Sequence, residues 1–522
     1  MFNLFRKWIK NIVTEQDWLL FICIFHKNTL SLRQFNNHFT RMNIKGIIGR
    51  EEQIHKLNQI IAHEEAQLVA IYGRRRVGKT YLVKKYFDES FDFYFCGSYD
   101  TKASIQIDLF RKELERAAGQ SLVNIKTWFD AFDALQNHLE SLQKDHIIIF
   151  LDEIPWLDTP RSNFLAAFSK FWNMWGSTHQ GLKVITCGSA TTWMLDKFVG
   201  GKGGFYGRSN CSIYLPPFTL YETEQFFSLR NFGWTRQHII EAYMVLGGIP
   251  YYLDMLDPSI TLESNIDELF FAMNGALRNE YDFLFRTHFK EATLYRQIVE
   301  TIASKRKGLS QAELKEHLRL SDGGKLSEAL NNLQKCDFIR MYNEIGKTKR
   351  NVMFQLTDLY TLFYLNYIKK GNSQDEHFWT NLDLHSRESW QGYAFEMVCL
   401  HHIPQIKKAL GIGGVLTNAC SWQTKPTVDK DGTNWNGTQI DLLLERADKI
   451  INLCEMKYCS DEYVITEAYD RKLRDRISIF RHHTRTRSAL PITFITPYGL
   501  KHNNYGNLYL PYQVTMEELF VE

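Results

Sequence analysis

The chain has 522 residues, room for about three to four domains at roughly 150 residues each, which excludes a single small binding module. Hydrophobic residues make up 44% and charged residues 23%, which excludes a disordered chain. The net charge of +3 announces no polyanionic partner, so any such partner must be met by a local patch. The nine cysteines are scattered and form no CxxC pair. That fits a reducing cytoplasm, the expected location, and argues against a disulfide framework or a zinc ribbon.

Residues 1–41 show no clear period, and their apolar run, Trp18–Phe25, is far shorter than the ~20 residues of a membrane helix. No membrane partner is expected. "MNIKGIIGREEQIHKL" from Met42 reads as a domain start, so Met42 is expected to be the initiator, or residues 1–41 a dispensable extension. Strand-like runs follow at 67–72, 92–96, 146–151, 183–187 and 212–215, with helical patterns between them. Phe164, Phe168, Phe171, Trp172 and Trp175 share one helix face and read as core. Alternating strands and helices predict a parallel sheet covered on both faces, an α/β fold over 42–218. A helical stretch, 219–292, comes next. Residues 293–360 read as three helices and a β-hairpin, the winged-helix pattern. A helical linker, 361–390, leads to a last α/β unit, 391–522.

"GRRRVGKT", Gly73–Thr80, follows a strand and opens a helix, the setting of a phosphate-binding loop. Gly73 and Gly78 let the backbone turn and approach phosphates, Lys79 reaches the β/γ-phosphates, and Thr80 ligates Mg²⁺. Arg74, Arg75 and Arg76 either add positive potential there or form a solvated basic loop. "HIIIFLDEIPWL" supplies the carboxylates: Asp152 holds Mg²⁺ through water, and Glu153 orients and deprotonates the attacking water. ATP and Mg²⁺ are the expected ligands.

The GKT loop with "LDE" resembles the additional-strand, catalytic-glutamate branch of P-loop ATPases, and more narrowly the archaeal-type ATPase family near AAA+ and STAND ATPases. That resemblance spans roughly 42–360. It implies that Gly49 and Arg50 of "IIGREEQI" lie near the adenine end, with Glu51 beside them. It puts Ser189 of "CGSATTWM" near the γ-phosphate, and Gly248 and Pro250 of "GGIPYYL" in a helical lid. Arg208 of "YGRSN" is then either a cationic sensor or trans-acting finger, or a structural arginine.

In the winged-helix reading, helix 323–335 carries Lys325, Asn331, Asn332 and Lys335 toward a major groove, and Lys347, Lys349 and Arg350 sit on the wing near phosphates. The alternative is a unit that only packs on the ATPase. Asp322 and Glu328 dilute its charge.

"TQIDLLLERADKIINLCEMKY" reads as a hairpin turning at Ala447–Lys449, with Asp441 beside Met456 and Lys457. Glu455 and Lys457 share a strand face, and Glu396 on the preceding helix can join them. Carboxylates plus a lysine suit metal-assisted phosphodiester hydrolysis, with Asp441 and Glu455 as metal ligands. The D-x₁₃-E-x-K arrangement with upstream "YAFE" resembles the PD-(D/E)XK restriction-endonuclease-like fold over about 391–500, although Thr438, Gln439 and Ile440 stand where a Pro–Asp pair is usual. Arg471–Arg487 holds seven basic residues and one acidic residue, either a phosphate-binding patch or a solvated helix face. The expected function is an ATPase coupled to double-stranded DNA binding or cleavage, with a homo-oligomer or protein partner also open. The alternative is a STAND-type switch whose nuclease-like unit is inactive.

Overall fold

The computed structural model describes residues 46–189, 191–199, 211–289, 291–320, 323–343, 345, 352–370 and 375–522. The expectations for residues 1–41, Met42, Arg208, Asp322, Lys347, Lys349 and Arg350 lie outside these. Among the described residues, no helix is long and apolar enough to cross a membrane. The chain forms two compact units: one of Lys79–Gly188, Trp193–Leu215 and the chain up to Tyr72, the other of Gly73–Gly78, Ser189–Thr192 and Pro216–Glu522.

The first unit is built on strands β1 (Gln67–Tyr72), β2 (Phe93–Cys96), β3 (Ile147–Asp152), β4 (Leu182–Gly188) and β5 (Cys211–Tyr214) in the order β2-β3-β4-β1-β5. Every pairing is parallel. β3 and β4 are buried along their whole length, so they read as continuous apolar runs rather than alternating ones. An aromatic layer of Phe110, Trp128, Phe132, Phe164 and Phe168 packs on the sheet from helices Ala103–Ala118, Trp128–Ser141 and Phe164–Met174. The face expected on the last helix is buried at Phe164, Phe168, Phe171 and Trp172, and Trp175 packs against it. Thr127 and Asp130 close the start of helix Trp128–Ser141 with a reciprocal capping box.

The second unit opens with helices Leu220–Leu229, Arg236–Leu246 and Glu280–His288. Helix Ala292–Ala303 follows, then β6 (Leu309–Ser310), helices Gln311–His317 and Gly323–Lys335, β7 (Ile339–Asn343) and β8 (Val352–Leu356). These strands form an antiparallel sheet in the order β6-β8-β7. β6 is too short to register as a periodic run.

After helices Leu384–His401 and Ile403–Ala409 come β9 (Thr417–Thr424), a small hairpin of β10 (Thr427–Val428) and β11 (Asn434–Trp435), β12 (Thr438–Arg446) and β13 (Ile451–Met456). Helix Glu467–Thr484, β14 (Ile492–Ile495) and β15 (Gln513–Val514) complete the unit. The sheet order is β15-β14-β13-β12-β9, antiparallel at β9–β12–β13 and parallel at β13–β14–β15.

The boundary expected at 390/391 does not coincide with a break between elements. It falls inside helix Leu384–His401, where Trp390, Tyr393, Ala394 and Phe395 are all buried. Just past that helix His402 is fully buried, its Nε2 accepting the Leu220 backbone N–H at 2.9 Å while Nδ1 contacts the Val398 carbonyl at 2.8 Å. A ring accepting at Nε2 must carry its proton on Nδ1 and be neutral. Burial pushes its pKa down to about 4. The unfolded chain therefore binds more protons between the ordinary histidine value and about 4, and stability present above pH 6.5 is lost as pH falls through that window. Acid unfolding of wild type is expected to include up to about 3 kcal/mol from this group. Denaturant titrations at pH 7 and 5 should show His402→Gln flattening that slope; an unchanged slope sinks the assignment.

Candidate functional site: two carboxylate clusters

The first cluster lies at the C-terminal edge of the parallel sheet. β4 separates β1 from β3, pairing Gly188 with Tyr72 and Thr186 with Leu151. Lys79 opens helix Lys79–Tyr86 and is 6% exposed. Thr80 Oγ1 donates to Asp152 Oδ2 at 2.7 Å. Asp152 is 3% exposed at the end of β3, and burial, reinforced by the Glu153 charge, pushes its carboxyl up to about 6. Thr80, the Glu153 N–H and Lys79 act in the opposite sense.

The Glu153 backbone is left-handed, with φ 47° and ψ 45°, uncommon outside glycine, and its N–H donates to Asp152 Oδ1 at 2.9 Å. Gly97, which sequence reasoning passed over, makes room for this turn: a Cβ there would stand 2.7 Å from the Glu153 carbonyl oxygen. Lys79, Thr80, Asp152 and Glu153 thus share one edge. Two hard oxygen donors in contact, one of them a buried carboxylate disfavoured without a compensating charge, suit Mg²⁺.

Gly49 and Arg50 precede helix Glu51–Ala62, and Arg50 is buried with a left-handed backbone at φ 67°. Gln53, one turn on, donates to the Tyr214 carbonyl at the end of β5 at 3.3 Å. Ser189 follows the last residue of β4 and is buried.

Gly73 and Gly78 have φ 150° and 90°, and Gly78 lies in the region that favours glycine. The three loop arginines match neither sequence alternative. Arg74 is 1% exposed and binds the buried Asp358 carboxylate with both amino groups, the Nη2–Oδ2 distance being 3.2 Å. Its guanidinium lies 4.8 Å from the Phe338 ring centre. Arg76 pairs with the buried Glu280 at 2.8 Å and lies 4.0 Å from the ring centre of Tyr251. Arg75 lies 4.8 Å from the ring centre of Phe283. These side chains are structural fasteners. Pro250 begins the short helix Pro250–Leu253, and the Tyr251 N–H reaches the Arg76 carbonyl at 3.4 Å.

The second cluster sits on the β12–β13 pair. Leu442 faces Cys454, so continuing the register places Asp441 across from Glu455, one residue from the expected Met456 and two from Lys457. The turn is symmetric about Asp448, the middle of the expected Ala447–Lys449 turn: the Arg446 N–H bonds the Ile450 carbonyl, and Lys449 is left-handed at φ 64°. On its other side β12 has a bulge between Ile440 and Leu443 against β9, a feature that re-aims side chains.

Burial pushes the Glu396 carboxyl up to about 7, assisted by Asp441 and opposed by Arg306 and Lys457, so these three groups lie within electrostatic reach of Glu396. Glu455 is 6% exposed and already occupied: Arg476 pairs with Oε1, the Tyr469 hydroxyl donates to Oε2 at 2.9 Å, and Lys457 Nζ stands 3.8 Å away. Among the described residues, no group of three or more His, Cys, Asp or Glu side chains is arranged to hold a metal ion. With Glu455 bound in this way, the expected metal pair of Asp441 and Glu455 does not fit a cation as it stands.

One nucleic-acid expectation needs correction. Asn332 points inward, 7% exposed, with Nδ2 donating to the Tyr295 hydroxyl at 2.7 Å. It cannot read bases. Lys325 and Asn331 are exposed, and Lys325 stands 3.7 Å from Glu291. Of the seven basic residues of Arg471–Arg487, three stand in ion pairs, Arg471 with Glu467, Arg474 with Asp470 and Arg476 with Glu455, and His482 lies 3.1 Å from Asp429.

Comparison with known proteins agrees with the first cluster. Residues 47–256 match the model of a family described as an ATPase domain predominantly from Archaea. An uncharacterized protein of Methanocaldococcus jannaschii is 26% identical over 365 residues, which are 69% of this chain and 78% of that one. Among solved structures, a Walker-type ATPase of Pyrococcus abyssi aligns with a TM-score of 0.45 and 19% identity, covering 62% of this chain and 97% of that one. The ORC2 protein of Aeropyrum pernix, in ADPNP–ADP complexes, aligns with a TM-score of 0.39 and 14% identity over 62% of this chain and 95% of its own. Over residues 47–256 the chain is thus similar to an archaeal-type ATPase domain.

Proposed function

We propose that this chain binds ATP with Mg²⁺, hydrolyses it, and uses the nucleotide to control engagement of a nucleic acid by residues 293–522. The observation that carries the first part is the meeting of Lys79, Thr80, Asp152 and Glu153 at one sheet edge, with β4 inserted between the strands that supply them. Lys79 draws charge from the β/γ-phosphates. Glu153 orients a water for attack on the γ-phosphorus and takes its proton as the bond to the leaving ADP oxygen breaks. Thr80 and Asp152 would hold Mg²⁺, which when bound neutralises charge on the phosphate oxygens. Gly49, Arg50, Gly73, Gly78, Ser189 and Pro250 are proposed nucleotide contacts on the strength of the motif resemblance.

The three helices and antiparallel strands of 292–356 support a winged-helix reading, and the mixed sheet with Glu396, Asp441, Glu455 and Lys457 supports a restriction-endonuclease-like one. A second reading, a nucleotide-dependent switch whose C-terminal unit binds without cutting, is favoured by one contact: Arg476 and Tyr469 already occupy Glu455.

ATP turnover by purified protein with Mg²⁺ tests the first part. Wild type is expected to release phosphate and Lys79→Ala to lose both binding and turnover; radiolabelled ATP that neither binds nor turns over in wild type refutes it. Nicking of a plasmid by wild type but not by Asp441→Ala separates cutting from binding.

A further inference from the structure

A cationic wall near the C-terminal carboxylates comes from residues outside the sequence motifs. Arg306, Lys307 and Arg340 all belong to the segment 292–356. Their setting is built rather than incidental. The Arg306 carbonyl accepts from Gln355 Nε2 at 2.7 Å, and the Lys307 carbonyl accepts from the Tyr342 hydroxyl at 2.6 Å. Gly308 closes the turn so tightly that a Cβ would stand 1.9 Å from the Phe354 carbonyl oxygen. The turn therefore holds Arg306 and Lys307 in one orientation.

Arg340 projects from β7, donates through Nε to Gln355 Oε1 at 2.6 Å, and lies 4.5 Å from the Tyr342 ring centre. These contacts fix the plane of its guanidinium. Burial pushes its pKa down to about 10, so it stays charged at neutral pH. Lys307 Nζ reaches Gln423 Oε1 on β9 at 2.7 Å. Lys307, Arg340, Tyr342 and Gln355 face Ser421, Gln439 and Asp441 across one cleft. Arg306 lies over the Tyr393 ring, 4.8 Å from its centre, and within electrostatic reach of Glu396. Among the described residues, no carboxylate forms a direct ion pair with any of these three cations.

We propose that this cleft, and not the exposed face of helix Gly323–Lys335, binds the phosphodiester backbone of a nucleic acid, with Arg306, Lys307 and Arg340 as the phosphate contacts. The proposal rests on the nucleic-acid part of the function given above. Fixed guanidinium groups suit phosphate oxygens, which accept paired N–H donors. A phosphate seated there lies beside Asp441 and Glu396, where a cutting site would need it and where a binding-only switch could equally sense it. Helix Gly323–Lys335 offers less: one of its expected readers is buried in the core.

Fluorescence anisotropy with labelled single-stranded DNA, double-stranded DNA and RNA of equal length tests this on the full chain. Wild type is expected to bind at least one of them. Arg306→Ala/Lys307→Ala should weaken that binding at least tenfold and reduce the slope of log affinity against log salt by about two, near one unit per lost phosphate contact. Lys325→Ala/Asn331→Ala should stay within twofold. ATP turnover of each variant checks folding, because none of these residues belongs to the first cluster. The three probes show whether the sugar matters to a contact made through phosphate. A cleft variant that binds as wild type does, while the helix variant loses affinity, overturns the cleft and leaves the functional reading standing. Wild type that binds none of the three overturns both.

Discussion

Glu153→Gln is expected to lower ATP turnover by about 10²- to 10⁴-fold while leaving ATP affinity within a few-fold. The substitution keeps the shape of the side chain and removes its capacity to take a proton. The backbone supports this sharp separation. Glu153 is held in a left-handed turn by its N–H bond to Asp152 and by the space that Gly97 leaves beside its carbonyl. The replacement should therefore occupy the same place. Asp152 and Thr80 keep their contact, so binding persists. Single-turnover hydrolysis alongside equilibrium binding of ATP separates the two effects. A variant that turns over at the wild-type rate removes Glu153 from the chemistry; one that loses binding as well makes it a ligand-positioning group instead.

The second large effect concerns stability. Asp358→Ala is expected to cost about 3–5 kcal/mol, because it strands a buried guanidinium. Burial pulls the Arg74 pKa down, but Asp358 outweighs it and carries Arg74 above its ordinary value, which marks a strong pairing. Asp358 also caps helix Leu359–Phe363 by accepting the Thr361 N–H at 3.0 Å. Its loss removes a helix cap together with an ion partner. Arg74→Met/Asp358→Leu should recover most of the loss, since a well-packed apolar pair often replaces a buried ion pair at little cost. Denaturant unfolding of the single and double variants measures this. A single variant as stable as wild type would falsify the clamp.

The nucleotide motif was legible because its chemistry demands neighbouring residues: the loop and the strand-end carboxylates are contiguous words in the sequence. The strands of the parallel sheet were legible for a related reason. Their burial on both faces writes them as largely apolar runs, and 67–72 matches the observed strand residue for residue. What escaped detection depends on long separations. Arg74 finds its partner 284 residues away, and Lys307 finds Gln423 116 residues away, so no local pattern distinguishes either from a solvated cation. Asn332 carried a signal that was available. It lies three residues after Ala329 and one before Leu333, both buried, and so falls toward the apolar side of its helix. The partner of Asp441 was legible too, since reflection about Asp448, the middle of the expected turn, gives Glu455.

The continuous helix Leu384–His401 bears on how such a chain could have been assembled. A module that ends in a flexible linker can be cut out and pasted elsewhere by recombination, because both fragments keep their own cores. Here a cut at 390 would split Trp390 from Tyr393 and Phe395, and would take away the ring of His402 that satisfies the first N–H of helix Leu220–Leu229. A cut at 390 would therefore leave both pieces with broken contacts. The C-terminal fold is expected to be inherited with the helices of 220–246 as a single heritable piece, and a recombinant that exchanges one without the other should have to rebuild this joint.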